Sequence, residues 1–247
     1  DFAYHHYKLE RGFDCLINVF GADHSGYVKR IQAAVKALTS GQKNLEIKVC
    51  QMVNFLDNGV PVRMSKRAGT FITLKEVVER VGKDATRYMM VSRHQDMAID
   101  FDFAKIIEQN RENPIFYIQY AHARIQSVLR HSRDIFPDLN LKNTVLPLHF
   151  LKDEHELAMI KILANWPRQV EVAAQVREPH RIANFLYDVA STFHSLWNKG
   201  KEHTHLRFIE PTDFERTQAR LALITATAYV IASGLELLGI TPVKEMK

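Results

Sequence analysis

The sequence predicts a mostly α protein in two parts: an α/β domain over residues 1–113 with an incomplete sheet, then an all-α helical bundle over residues 114–247. Three observations predict it. Strand-prone apolar runs separated by Gly-containing turns are confined to the first part, whereas apolar residues recur at helical spacing through almost all of the second. Asn113-Pro114 divides the two regimes, because the residue before proline is pushed out of helical geometry and proline suits a first helical turn.

Each element follows from local chemistry. Asp14 to Phe20 is a compact β-prone run of the kind that fills a buried parallel strand. Gly21-Ala22-Asp23-His24 then makes a turn, and Ser25-Gly26-Tyr27 opens a helix with Val28, Ile31, Val35 and Leu38 on one face. Strand, glycine turn and helix form the α/β unit whose turn lies at the carboxyl edge of a sheet, where such folds bind ligands. The G-x-G-x-x-G spacing is missing, and a capping Asp after a Gly turn explains the same residues. A second β-prone run covers Glu46 to Phe55. Asn58-Gly59 predicts a hairpin into Val60-Pro61-Val62, and Pro61, lacking an N–H, makes this an edge strand or loop arm. Thr73 with Glu76 predicts a capping box opening a helix that runs to Gly82. Further helices are predicted over Asp84 to Arg93 and Asp102 to Asn110. Only two or three strand candidates precede the basic loop that starts at Val62, so a doubly wound Rossmann-like sheet is expected to be incomplete.

From Pro114 the reading is helical. Residues 114–133 place Ile118, Ala121, Ile125, Val128 and Leu129 on one face. Ile135 to Phe150, with Pro137 and Pro147, reads as a long loop. Helices are predicted near 153–165, 167–176, 180–199 and 212–238, with a polar loop from Lys201 to Pro211 and a stop at Gly239.

Composition limits the function classes. The chain's 247 residues are 46% hydrophobic and 25% charged, with 10 Gly and 8 Pro, which describes a folded globular protein and excludes a disordered or fibrous one. No apolar run approaches the roughly 18 residues of a membrane helix, so no membrane partner is expected. Cys15 and Cys50 are far apart and form neither a disulfide framework nor a zinc spacing, which fits a cytoplasmic location. The twelve His offer no metal-ligand pairing, and His203 and His205 read as surface histidines. The start, Asp1-Phe2-Ala3-Tyr4-His5-His6, has neither an initiator Met nor a signal region and reads as a cut inside a longer protein. A net charge of +5, spread over both halves, permits a nucleic-acid partner without demanding one.

Two stretches carry candidate chemistry. In Val62-Arg63-Met64-Ser65-Lys66-Arg67-Ala68-Gly69-Thr70, three cations fall within five residues after a hairpin, a pattern suited to gripping phosphate: Lys66 supplies a mobile point charge, the arginines planar forks. A solvated hairpin tip has the same composition. On the helix from 114, Tyr117, Tyr120 and Arg124 lie at i, i+3 and i+7 beside the apolar stripe. Unstacked RNA bases settle on such aromatic faces while Arg meets phosphate; half-buried core-edge tyrosines would look alike. Phe193 and Trp197 read as ordinary core residues on their own.

Taken together, Gly-Ala-Asp-His at 21–24, Arg-Met-Ser-Lys-Arg-Ala-Gly at 63–69, Gly82-Lys83-Asp84-Ala85-Thr86-Arg87-Tyr88 and Asp100-Phe101-Asp102 resemble arginyl-tRNA synthetases of the bacterial type. So do Asn113-Pro114 through Ala123-Arg124 and the ending Leu237-Leu238-Gly239-Ile240-Thr241-Pro242 to Met246. The second stretch is similar to the K-M-S-K-S signature of class I aminoacyl-tRNA synthetases. The resemblance covers nearly the whole chain. It implies an arginine–tRNA ligase in which arginine attacks the α-phosphate of Mg2+-bound ATP, and the arginyl group then passes to arginine tRNA. It further implies catalytic roles for Arg63, Met64, Ser65 and Lys66, with Lys66 on the pyrophosphate side. Adenylate contacts fall on Gly21, Asp23, His24 and Lys66, and arginine contacts on Asp1 and His24. Anticodon-loop contacts fall on Tyr117, Tyr120, Arg124, Phe193 and Met246. A monomer is expected. Arg63 and Arg67 depart from the general signature, and no H-I-G-H segment is present, so these residues alone are expected neither to activate arginine nor to charge tRNA. The competing reading is a non-catalytic tRNA-binding helical module with a vestigial nucleotide fold.

Overall fold

The computed structural model describes residues 2–64, 71–142 and 145–246. The chain divides into two compact units, Asp1–Val62 with Arg93–Phe101, and Arg63–Ser92 with Asp102–Lys247.

The first unit opens with helix α1 (Phe2–Glu10), an element the sequence reading did not anticipate. Strand β1 (Leu16–Gly21) follows, then a 3-10 turn (Ala22–Tyr27), helix α2 (Val28–Leu38) and strand β2 (Leu45–Cys50). β1 and β2 pair in parallel, with Leu16 opposite Leu45 and Gly21 opposite Cys50. That pairing needs a crossover, which α2 supplies. Of the predicted apolar face of α2, Ile31 and Val35 are buried, packing with Ala34 against Leu16 and Leu45, whereas Leu38 at the end of the helix stays exposed. The alternate side chains of β1, Ile17 and Val19, stay exposed.

The single β-prone run predicted over 46–55 is in fact two strands in different sheets. β2 ends at Cys50, and β3 (Val53–Asp57) lies centrally in a second sheet of order β4-β3-β5, with β4 (Val60–Pro61) and β5 (Ile99–Asp102). The hairpin forms as predicted: Asn58 and Gly59 both take positive φ, 50° and 78°, which a two-residue turn between twisted antiparallel strands requires. Pro61 sits on the edge strand, where its missing donor costs nothing. β5 corrects the helix predicted over 102–110. Ile99 N–H donates to Met52 O at 3.1 Å, the strand runs into Asp102, and the helix that follows is the four-residue α5 (Phe103–Ile106) capped by the Asp102 carboxylate.

The second unit begins with α3 (Leu74–Val81), whose capping box is complete. Thr73 N–H donates to Glu76 Oε2 at 2.6 Å, and Glu76 N–H donates to Thr73 Oγ1 at 3.2 Å. Gly82, at φ 83°, ends α3 and starts α4 (Lys83–Val91). The remaining helices are α6 (Pro114–Ile135), α7 (Glu154–Ala164), α8 (Trp166–Val176), α9 (His180–Glu202) and α10 (Phe214–Leu237). α6 starts as predicted, with Asn113 at the cap and Pro114 in the first turn.

α9 is the hub of the bundle. Leu186, Val189, Ala190 and Phe193 on it are fully buried, against Ile118 and Ile125 of α6 and Ile224 and Ile231 of α10. α10 is long and apolar enough by composition to cross a membrane, contrary to the run-length reading, but half of its most apolar window is buried in the bundle. One ion pair is sealed inside: Arg220 Nε lies 2.7 Å from Glu156 Oε1 with both side chains about 95% or more buried. The other carboxylate oxygen of Glu156 accepts from the Lys152 and Asp153 amides at the start of α7.

Past Gly239 the chain is strapped along α6. The Gln119 amide serves both sides of the tail, donating to Thr241 O (2.8 Å) and accepting from Val243 N–H (2.9 Å). His122 Nδ1 meets Val243 O at 2.7 Å, and Arg130 pairs with Glu245 at 3.3 Å.

Candidate nucleic-acid interface

The face of α6 that carries Tyr117, Tyr120 and Arg124 meets α9 at His194 and Trp197. Arg124 is the keystone. Its guanidinium lies 4.1 Å from the centre of the Tyr120 ring and 4.6 Å from that of Trp197, so one cation faces two aromatic rings. It also donates to the Tyr120 hydroxyl and, at 3.3 Å, to His194 Nδ1. The far nitrogen of His194, Nε2, donates to the Tyr117 carbonyl at 3.3 Å, which makes the Nε2–H tautomer the consistent one. Burial pushes the His194 imidazole down to about 4; the bond to the Tyr117 carbonyl opposes that shift and the nearby Arg124 adds to it. A neutral His194 can accept from Arg124, and a charged one could not.

Tyr120 and Phe116, one turn apart, stack at 5.8 Å with planes 17° apart, and both are only half-buried. The strip is therefore a partly open run of rings held at fixed orientation around one arginine. Met246, exposed, lines a shallow groove beside it with Phe116, Gln119 and Lys83, placed there by the strapped tail. Phe193 is different. It is fully buried and stacks on Phe208 at 5.9 Å and 4°, so it reaches a ligand only through the residues it supports. His194, Trp197 and Phe116 enter the strip without having been singled out as ligand contacts. The signal was the i, i+4 step from Phe193 to Trp197 facing the i, i+4 step from Tyr120 to Arg124, and it becomes visible only once α6 and α9 are known to be neighbours.

In the first unit, Gly21, Asp23 and His24 do come together at the carboxyl end of β1. The Asp23 carboxylate lies 3.7 Å from His24 Nε2, and both are well exposed. A Cβ on Gly21 would stand 2.7 Å from Asp23 Oδ1, so the missing side chain leaves room for the carboxylate to fold back over the strand end. His24 also lines a groove with Tyr4, Asn18, Phe20 and Tyr27. Its floor is polar and ordered: Asn18 bonds His5 Nε2 at 2.9 Å and receives Lys8 Nζ at 3.0 Å. Arg63 and Met64 are exposed. Ser65, Lys66 and Asp1 lie outside the described residues.

The fold defines a class: an α/β part and an all-α bundle with partly open aromatic rings around one cation. Within that class, the chain belongs to the DALR anticodon binding domain family, whose model matches residues 118–246. Over its whole length it is similar to arginine–tRNA ligases, being 55% identical to that of Rhodospirillum rubrum and 57% identical to that of Azorhizobium caulinodans. These matches cover 100% of this chain but 42% and 43% of the relatives, so the chain spans under half the length of the curated proteins it matches. A solved structure from Campylobacter jejuni, assigned as an arginyl-tRNA synthetase, superposes with a TM-score of 0.82 at 30% identity, covering 100% of this chain and 51% of that one. The Thermus thermophilus arginyl-tRNA synthetase shares the fold at a TM-score of 0.74 and 23% identity, over 94% of this chain and 41% of its own.

Proposed function

We propose that this chain is the C-terminal portion of an arginine–tRNA ligase, acting in the cytoplasm as a monomer. Its helical part, beginning near residue 114, grips the anticodon loop of arginine tRNA, and the stretch before it forms one wall of the site where arginine and ATP react. The observation that carries this reading is the Tyr120–Arg124–Trp197 arrangement, set within a chain that matches an anticodon-binding family. Unstacked bases need flat apolar faces, and the phosphates between them need cations. The strip offers both, on helices that share one buried core.

In the reaction, arginine displaces pyrophosphate from ATP to form arginyl-adenylate, and the arginyl group passes to the terminal adenosine of the tRNA. Such chemistry asks for positioning and charge stabilisation more than for covalent participation by the protein. Gly21, Asp23 and His24 would meet the adenylate, His24 and Asp1 the arginine, and Arg63, Met64, Ser65 and Lys66 the triphosphate. Mg2+ would enter with ATP, as part of the substrate. Without an H-I-G-H segment the 247 residues would not carry out activation themselves. In a protein that includes such a segment, Lys66→Ala should slow arginine-dependent ATP–pyrophosphate exchange far more than it weakens tRNA binding. Equal loss of both would contradict the assignment of Lys66.

A further inference from the structure

We propose that the groove beyond Trp197, between the C-terminal half of α6, the end of α9 and the segment 206–211, receives a second unstacked base of the same RNA, with a neighbouring phosphate on Lys201 and Arg207. This rests on the reading of the strip as an RNA-binding face. The groove is lined by Val128, Trp197, Phe208 and Ile209 and has a volume of about 660 Å³, within the range of small-ligand sites. Its apolar lining suits a flat heterocycle.

Three features point to a nucleotide as the occupant. First, Lys201 and Arg207 are exposed on the rim, no acidic residue lines the groove, and no carboxylate among the described residues pairs with either cation. His131, also on the rim, is instead 3.8 Å from Asp134. Second, the apolar wall carries two aromatic rings, Trp197 and Phe208, with centroids 6.0 Å apart, and such faces are what an unstacked base settles on. Third, the groove continues the strip: Tyr120, Arg124, Ser127 and His131 follow one another at helical spacing on α6, and Trp197 belongs to both sites.

The groove is built in advance of any ligand. A Cβ on Gly200 would stand 3.0 Å from Leu206 O, so glycine there lets the end of α9 close onto the 204–206 turn. Phe208 is stacked on the buried Phe193. The wall is an extension of the core.

The test is a double-mutant cycle between protein and RNA, using the full 247-residue chain and a hairpin RNA carrying the arginine anticodon loop. Each loop nucleotide is replaced in turn by an abasic one, and binding is measured by fluorescence anisotropy to the unaltered chain and to Ser127→Gln, Arg207→Gln and Tyr120→Ala. Ser127→Gln narrows the groove from an exposed helical position. Arg207→Gln keeps the backbone carbonyl that accepts from Arg220. One abasic position should cost roughly tenfold with the unaltered chain and little with Ser127→Gln, and it should differ from the position coupled to Tyr120. Arg207→Gln should weaken binding of every RNA and lower its salt dependence. If Tyr120 couples to a loop base but no base couples to Ser127→Gln, the groove proposal falls and the strip stands. If no base couples to Tyr120 either, both fall.

Discussion

Arg124 and Tyr120 are held together twice over: the guanidinium lies 4.1 Å from the centre of the Tyr120 ring while it also donates to the Tyr120 hydroxyl. The second contact fixes the tilt of a ring that the first leaves free to turn. In the proposed reading, a base that stacks on Tyr120 meets a surface already oriented, and the entropy of ordering it has been spent in folding.

Replacing Tyr120 by Ala removes that platform and should weaken binding of arginine tRNA by roughly 1–3 kcal/mol. Tyr120→Phe keeps the face and loses only the tether, so it should lie much closer to the parent. A filter-binding or anisotropy titration separates the two. Equal affinity for all three proteins would return Tyr120 to the role of a core-edge residue.

His194 gives the bundle a pH dependence of definite sign. Burial holds its folded value at about 4 against the ordinary 6.5, so between those values the unfolded chain binds a proton that the folded chain refuses. Stability from this group is complete above 6.5 and is lost progressively as the pH falls toward 4. His122, lowered mainly by its own burial, acts in the same direction. Urea midpoints measured near pH 7 and near pH 5 should therefore differ less for His194→Gln than for the parent. An unchanged difference would mean that His194 titrates normally in the folded bundle.

The Glu156–Arg220 pair should behave as a buried ion pair broken from one side. Arg220→Ala leaves a carboxylate uncompensated in the core and should cost roughly 3–5 kcal/mol by urea unfolding. The double variant Glu156→Gln, Arg220→Met should recover a large part of that loss, because no lone charge remains. A cost for Arg220→Ala within the range of surface substitutions would show the pair to be solvated.

What the sequence made legible was local. Thr73 with Glu76, Asn58-Gly59 and Asn113-Pro114 each contain both the group that needs satisfying and the group that satisfies it, within four residues. The run from Glu46 to Phe55 failed because a strand is defined by its partner: nothing in those residues says that Leu45–Cys50 joins β1 while Val53–Asp57 joins β4 and β5. β5 was missed for the same reason, since Ile99 finds its acceptor at Met52. At the strip, Tyr120 and Phe193 are both aromatic residues on amphipathic helices, yet one is half open and the other fully buried. Which is which depends on how α6 and α9 lie against one another. The Glu156–Arg220 pair joins residues 64 positions apart, beyond any local pattern.

The account stands most directly on one titration, of the 247-residue chain with arginine tRNA and with a tRNA of different anticodon, at two salt concentrations. We predict tighter binding of arginine tRNA at both salts, with affinity for each RNA falling as salt rises because phosphate contacts release counterions. Equal affinity for the two tRNAs, or no binding at the lower salt, would contradict it.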